Sequence, residues 1–511
     1  NTYSKNSGGN PEKIPELTYE NYLAFYHKYY HPCNSYIYLY GDMDIEERLT
    51  WLDEEYLSHY DANEVEVHSQ IQLQKPFDAV VSERRTYPIT EDEPEEKHTY
   101  LSYNKVVGTV LDRELYQAFS VLDYVLVSAP GAPVRQALID AGIGEDVYGS
   151  FEDGMLQPMF SIVAKNADES DQTRFVQIIE ETLQKLVKEG LNQDSLLAGI
   201  NSAEFRFREA DYGQFPKGLL YGLQCMESWL FDDTKPFIHL ECLDTLQFLR
   251  EQIKTGYFED LIQKYLLDNA HGAVVVVAPE KGLNRVREQA LAEKLAAYKA
   301  GLSNEEVQAL IAQTRHLREY QEEPSKEEDL LKIPMLGRED MKKEAMPFSN
   351  KEENMGEIPV VRHEAPANGI NYITLMFECN DIAEEEVPYL GLLRAVLGYV
   401  NTRSYSYADL ANAINIYTGG ITSGVSMYPD HDAMAVKFEI RMKVLESNLE
   451  HAMKLAEEIL NSSDLHDTKR LAELIAQVKS RLQVNLSSSG HTVAAMRALS
   501  YESVYAFYND A

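Results

Sequence analysis

Several things are scarce in these 511 residues, and each scarcity excludes something. Cysteine occurs four times, at Cys33, Cys225, Cys242 and Cys379, never as C-x-x-C, which argues against a disulfide framework or a cysteine zinc site and for a reducing compartment. No apolar run approaches the roughly 18 residues of a membrane span. The longest clean one, AVVVVA at 273–278, reads as a buried strand. Basic residues number 47 against 83 acidic ones, a formal charge of -36 spread along the chain. Such a field repels nucleic acid and anionic membrane, so neither is expected as a partner, and it would draw in cationic peptides if it lined a cavity. There is no Walker loop and no dinucleotide fingerprint. The opening stretch NTYSKNSGGNP has no methionine, basic segment or apolar core, so it reads as neither a start nor a signal peptide, and the chain reads as beginning in mid-protein.

What is present is ordinary globular material, 44% hydrophobic and 25% charged, at a length that calls for several domains. From Thr18 a helix carrying Tyr19, Tyr22, Tyr26 and Tyr30 runs into SYIYLYG, which looks like a strand, and then into a helix opened by Asp44 with Glu47. TEDEPEEK at 90–97 is a charged break. Two helices are expected within 283–321, split at Gly301 and reopened by a capping box from Ser303 to Glu306. Prolines 324, 334 and 347 stop the following stretch from being one long helix.

The sequence also repeats itself. VRQALIDAGIGEDVYGSF from Val134 and LANAINIYTGGITSGVSM from Leu410 lie 276 residues apart, each a helix ending at a glycine turn before a strand. DQTRFVQIIEETLQKL from Asp171 and SNLEHAMKLAEEIL from Ser447 keep the same offset. A shorter offset of 236 joins HKYYHPCNSYIYLYG to QKYLLDNAHGAVVVVA. Repeats on this scale imply duplicated α+β modules with helices on one face of a mainly antiparallel sheet. The expected organisation is the tail of one such module at 1–65, a second at 66–280, a helical-hairpin hinge and extended linker at 281–350, and a third, incomplete at its end, at 351–511.

The candidates for chemistry are thin. His27 and His31 have the i, i+4 spacing that zinc peptidases use in H-x-x-E-H, where the glutamate activates zinc-bound water. Tyr30 occupies the glutamate position, and a phenol of pKa about 10 is a poor base near neutrality. Pro32 then ends the helix. No other histidine supplies H-x-x-E-H or H-E-x-x-H. SGGNP at 7–11 reads as a turn. Asp42 and Asp44 lack the twelve-residue loop of a calcium site. SSSGHT at 487–492, with His491, reads as a glycine-containing surface loop, and SAPGAP at 128–133 as a tight turn between helices. No catalytic and no metal-binding residue is assigned.

NTYSKNSGGNPEKIPELTYENYLAFYHKYYHPCNSYIYLYGDMD, GIGEDVYGSFEDGMLQPMF from Gly142, EFRFREADYGQFPKGL and RLQVNLSSSGHTVAAMRA together resemble the pitrilysin-like (insulinase-type) zinc metallopeptidases, in particular their presequence-protease and falcilysin branch. Ser7, Gly8, Gly9, Pro11, Tyr29, Tyr30, His31, Pro32 and Asn34 are the markers that carry the likeness, with Cys33 where serine is usual. The resemblance implies an internal fragment of an enzyme about twice as long. In that enzyme four homologous domains form two halves around a chamber, and zinc and its ligands lie before this segment. It implies unfolded, presequence-like peptides and the remaining domains of the same polypeptide as partners, zinc in the parent but none on this piece, and a cytoplasmic or organellar-matrix location. The alternative is a non-enzymatic scaffold or peptide-binding protein built from the same domains.

Overall fold

The computed structural model describes residues 2–61, 65–345, 347, 349–367, 369–430 and 433–510. It divides into two compact units, one of Asn1–Thr86, Pro94–Ala278 and Asn368–Ala511, the other of Tyr87–Glu93 and Pro279–Ala367. The class is α+β. Ten strands are described: β1 (Val81–Ile89), β2 (Thr99–Val106), β3 (Asp146–Glu152), β4 (Met159–Ala167), β5 (Gly272–Lys281), β6 (Asn350–Met355), β7 (Ile358–His363), β8 (Ile370–Glu378), β9 (Gly420–Asp430) and β10 (Ala433–Leu445). They form a five-stranded sheet in the order β1-β5-β2-β4-β3, a three-stranded sheet β8-β10-β9 and the hairpin β6-β7.

In the five-stranded sheet β2 runs antiparallel to both β4 and β5, and β3 antiparallel to β4. Alternation decides its faces: Leu101, Tyr103, Val274 and Val276 are buried while their neighbours in sequence are only half-buried. Against the buried face lies the helix Gln172–Glu189, whose Phe175, Ile179 and Leu183 recur every four residues and are fully buried. Each such side chain contributes about 1.5–3 kcal/mol by leaving water. In the three-stranded sheet Val436, Phe438, Ile440, Met442 and Val444 of β10 turn inward. They meet Ala452, Leu455, Ala456 and Ile459 of the helix Leu449–Ser462.

The 276-residue repeat is visible as one grammar used twice. Pro133–Asp140, β3, β4, the short 3-10 turn Glu169–Asp171 and Gln172–Glu189 are matched by Tyr407–Tyr417, β9, β10, the 3-10 turn Glu446–Asn448 and Leu449–Ser462. The two copies meet through Gln193–Glu209 and Tyr407–Tyr417. There Asn412 Nδ2 donates to Ser195 Oγ (2.9 Å), Asn415 Nδ2 to the Tyr124 hydroxyl (2.6 Å) and Tyr407 OH to Gln136 Oε1 (2.9 Å).

In the second unit the helices Leu283–Ala300 and Asn304–Glu322 form as the sequence predicts, and Ser303 and Glu306 make the reciprocal capping box. Neither helix buries a residue within its unit. After them only the four-residue helix Glu327–Leu330 interrupts the proline-punctuated stretch.

Two expectations are corrected. SYIYLYG is not a strand: residues 35–40 carry no ladder. Extended chain becomes strand only when a neighbour takes its N–H and C=O groups, and the neighbour here is the helix Lys217–Trp229. Tyr36 stacks obliquely on Trp229 (4.7 Å between ring centres) and donates to Asp233, while the Tyr38 and Tyr40 rings lie over Gly222 and Gly218. SSSGHT is not a surface loop either. The helices Thr468–Ser488 and Gly490–Leu499 are broken only at Ser489, and the Ser487 and Ser488 hydroxyls donate back to the carbonyls of Gln483 and Asn485.

Candidate functional site

The histidine pair is the natural starting point. Thr18 and Asn21 cap the first helix reciprocally, and it runs Tyr19–Tyr29 before leaving helical geometry at Tyr30 (φ -95°, ψ 50°). His31 is already extended (φ -113°, ψ 142°) and caps the short turn Pro32–Asn34. The four-residue spacing therefore does not place the two rings on one helical face. His27 is exposed on the helix, and His31 is 7% exposed with its ring edge-on to Tyr60. His31 Nδ1 lies 3.0 Å from Cys33 Sγ and accepts the Cys33 N–H. Among the described residues no group of three or more His, Cys, Asp or Glu could hold a metal ion, and His431 lies outside them. The described residues offer no set of ligands that fits zinc.

The remaining markers close a chain turn. Asn34 Nδ2 donates to the Tyr29 carbonyl at the end of the helix (2.9 Å), and Ser69 Oγ donates to Asn34 Oδ1 (2.6 Å). Tyr30 stacks on Tyr26 at 5.0 Å. Upstream, Ser7, Gly8 and Gly9 sit in a tight turn in which the Asn6 carbonyl takes the Gly9 N–H (3.0 Å) and its side chain the Gly8 N–H, and Pro11 sits in the next turn, where the Asn10 carbonyl takes the Lys13 N–H (2.8 Å). Gly9 has a φ of +80°, which favours glycine.

A second cluster was not assembled by sequence reading. Tyr116 donates its hydroxyl to Glu227 Oε2 (2.8 Å), with Asp153 also facing the phenol, and its ring lies 4.2 Å from that of His239. Burial, reinforced by Asp153 and opposed by the Tyr116 bond, pushes the Glu227 carboxyl up to about 7. Burial also holds the His239 imidazole down at about 4, against a hydrogen bond to the Val110 backbone, and its Nε2 has no partner among the described residues. Glu227 is thus a proton holder and His239 a neutral ring near neutrality. One signal was legible: Glu227 is the sole carboxylate in the thirteen-residue helix KGLLYGLQCMESW.

Comparison with known proteins gives these arrangements a setting. Residues 16–202 match the family described as peptidase M16 inactive domain, and residues 277–511 that described as associated with the C subfamily of peptidase M16. The chain is 39% identical over 511 residues to Protein HypA of Clostridium perfringens, covering 99% of this chain and 52% of that protein. It is 31% identical over 512 residues to presequence protease 1, chloroplastic/mitochondrial, of Arabidopsis thaliana, covering 97% of this chain and 47% of the relative. The chain thus spans about half the length of the curated relatives it matches. Among solved structures, a peptidase M16 inactive domain from Pseudomonas fluorescens is 17% identical with a TM-score of 0.40, over 54% of this chain and 61% of that one. The periplasmic protease PqqL from Escherichia coli is 14% identical with a TM-score of 0.39, over 96% and 51%.

Proposed function

Because the chain belongs to the pitrilysin-type M16 peptidase family and is a non-catalytic, peptidase-like portion of it, we propose that it serves as chamber wall and hinge in a zinc metalloendopeptidase that degrades unfolded, presequence-like peptides. In this reading zinc and its activating glutamate are supplied by sequence outside these residues, and the remaining domains of the same polypeptide are the chief partners. The acidic excess of 83 over 47 would draw cationic peptides toward the chamber. The reading places the parent in the cytoplasm or an organellar matrix. No described helix is long and apolar enough to cross a membrane.

The observation that carries the proposal is the alignment: relatives named as presequence proteases match nearly the whole chain while extending to about twice its length. The 511-residue chain, purified with zinc present and analysed by elemental mass spectrometry, is expected to hold no stoichiometric zinc. It should also leave a fluorogenic presequence-like peptide uncut. One zinc per chain, lost in His27→Ala and His31→Ala, with chelator-sensitive cleavage, would overturn the assignment.

A further inference from the structure

On the side of the five-stranded sheet turned away from Leu101, Val147 and Ala164, the helix Thr468–Ser488 crosses β3 and leaves a cavity of about 320 Å³. Its floor is Tyr100 of β2, Asp146 and Tyr148 of β3 and Lys165 of β4, flanked by Ser480, Arg481 and Val484 of the helix, and it opens to solvent. Asp146 and Lys165 are cross-strand partners, yet the Asp146 carboxylate is engaged by Arg135, at 3.5 Å. Lys165 and Arg481 have no ion pair or side-chain hydrogen bond among the described residues. Two cations without ion pairs thus lie beside a carboxylate that Arg135 already engages. About three turns back along the helix, Arg470 is held by Glu473 (3.0 Å) and by the Tyr407 ring beneath it (3.9 Å).

A second feature points the same way. Ser480 is 2% exposed, lines the cavity, and its hydroxyl makes no hydrogen bond among the described residues. Its oxygen is not among the atoms sealed off without a partner, so the hydroxyl stays open to the cavity and free to turn toward a ligand there. Three donors of this kind, two of them charged, suit an acceptor-only group with more than one oxygen. The Tyr100 and Tyr148 rings and Val484 offer apolar surface beside them. The volume lies at the small end of ligand pockets, enough for one residue rather than a strand of peptide.

We propose that this cavity binds the terminal carboxylate of a short peptide, the oxygens held by Lys165, Arg481 and Ser480 and an apolar last side chain laid against Tyr100, Tyr148 and Val484. The choice of a peptide acid rests on the peptidase reading above, whereas the binding itself needs neither zinc nor catalysis. N-acetylphenylalanine titrated calorimetrically into the full 511-residue chain is expected to bind saturably at one site. N-acetylphenylalaninamide and inorganic phosphate should each bind at least tenfold more weakly. Lys165→Met and Arg481→Met should each weaken binding about tenfold, the usual worth of a charge-assisted bond. Ser480→Ala should weaken it several-fold, and Lys454→Met, which breaks an exposed pair with Glu450, should change nothing. Circular dichroism identical to that of the parent chain would show that the variants fold. Equal binding of the amide or of phosphate, no binding of the acid, or indifference to Lys165 and Arg481 would overturn the proposal. Those results leave the peptidase reading standing, just as zinc bound by this chain would overturn that reading without touching the cavity.

Discussion

Glu227 and His239 make opposite demands on pH. Folding raises the Glu227 carboxyl from 4.5 to about 7. Between those values the folded chain holds a proton that the unfolded chain has released, so stability falls as pH rises through the window. Folding lowers the His239 imidazole from 6.5 to about 4. Between those values the unfolded chain takes up a proton that the folded ring refuses, so stability falls as pH drops. From about 4.5 to 6.5 the two slopes oppose each other. Each tenfold change in a proton equilibrium is worth about 1.4 kcal/mol, so each group alone would contribute a swing of about 3 kcal/mol. Together they nearly cancel.

The cancellation can be undone one group at a time. Glu227→Gln keeps an acceptor for the Tyr116 hydroxyl and removes the titration. Relative to the parent chain, that variant should lose about 2 to 3 kcal/mol as pH is lowered from 7 to 4.5. His239→Gln should show the mirror image and lose stability as pH is raised over the same range. Urea unfolding followed by tryptophan fluorescence reads this directly, with midpoint shifts of about 1 M. Trp229 lies two residues from Glu227, and Trp51→Phe removes the only other tryptophan, which is 57% exposed. If the difference between Glu227→Gln and the parent is flat from pH 4.5 to 7, the buried acid has been misread and the reasoning fails.

Two further substitutions probe the local structure. A Cβ on Gly222 would stand 2.8 Å from the Tyr38 ring, so Gly222→Val should cost about 1–3 kcal/mol and free residues 35–40 from the helix beneath them. Limited proteolysis would then cut within that segment first, and an unchanged digestion pattern would refute the docking. Ser303→Ala removes the hydroxyl that accepts the Glu306 N–H while keeping the backbone bond to Glu306 Oε2, and should weaken the start of the helix Asn304–Glu322 by about 1 kcal/mol. Faster amide exchange at Glu305 and Glu306 is the expected sign, with Ser303→Asp restoring protection.

Where the sequence is legible, the cause is local. The hairpin 283–322 could be read because its stop and restart are written in Gly301, Ser303 and Glu306. The repeat could be read because helix, glycine turn and strand follow each other within twenty residues in both copies. SYIYLYG misled because its alternation is genuine but its partner is a helix: Tyr36, Tyr38 and Tyr40 line one side in strand fashion and find Gly218, Gly222 and Trp229 instead of another strand. The Tyr116–Glu227–His239 cluster was out of reach because its first two members are 111 positions apart in sequence and join only when two helices pack. The cavity, likewise, is built from residues 100–165 on one side and 480–484 on the other.

That last separation bears on how the two copies of the repeat hold together. Their seam is crossed by side-chain hydrogen bonds, with Asn412, Asn415 and Tyr407 all donating across it. It also depends on close backbone approach. Gly131 has a φ of +74° and a Cβ there would stand 2.7 Å from that of Ala408, while a Cβ on Gly419 would run into the Phe205 ring. A hydrogen bond of this kind contributes only about 0.5–1.5 kcal/mol net, so these bonds fix the register of the seam more than its strength. The cavity lies on the same seam, with Lys165 from one copy and Arg481 from the other. Any ligand held by both must therefore stabilise the seam in proportion to its own affinity, and whatever parts the two copies must release it.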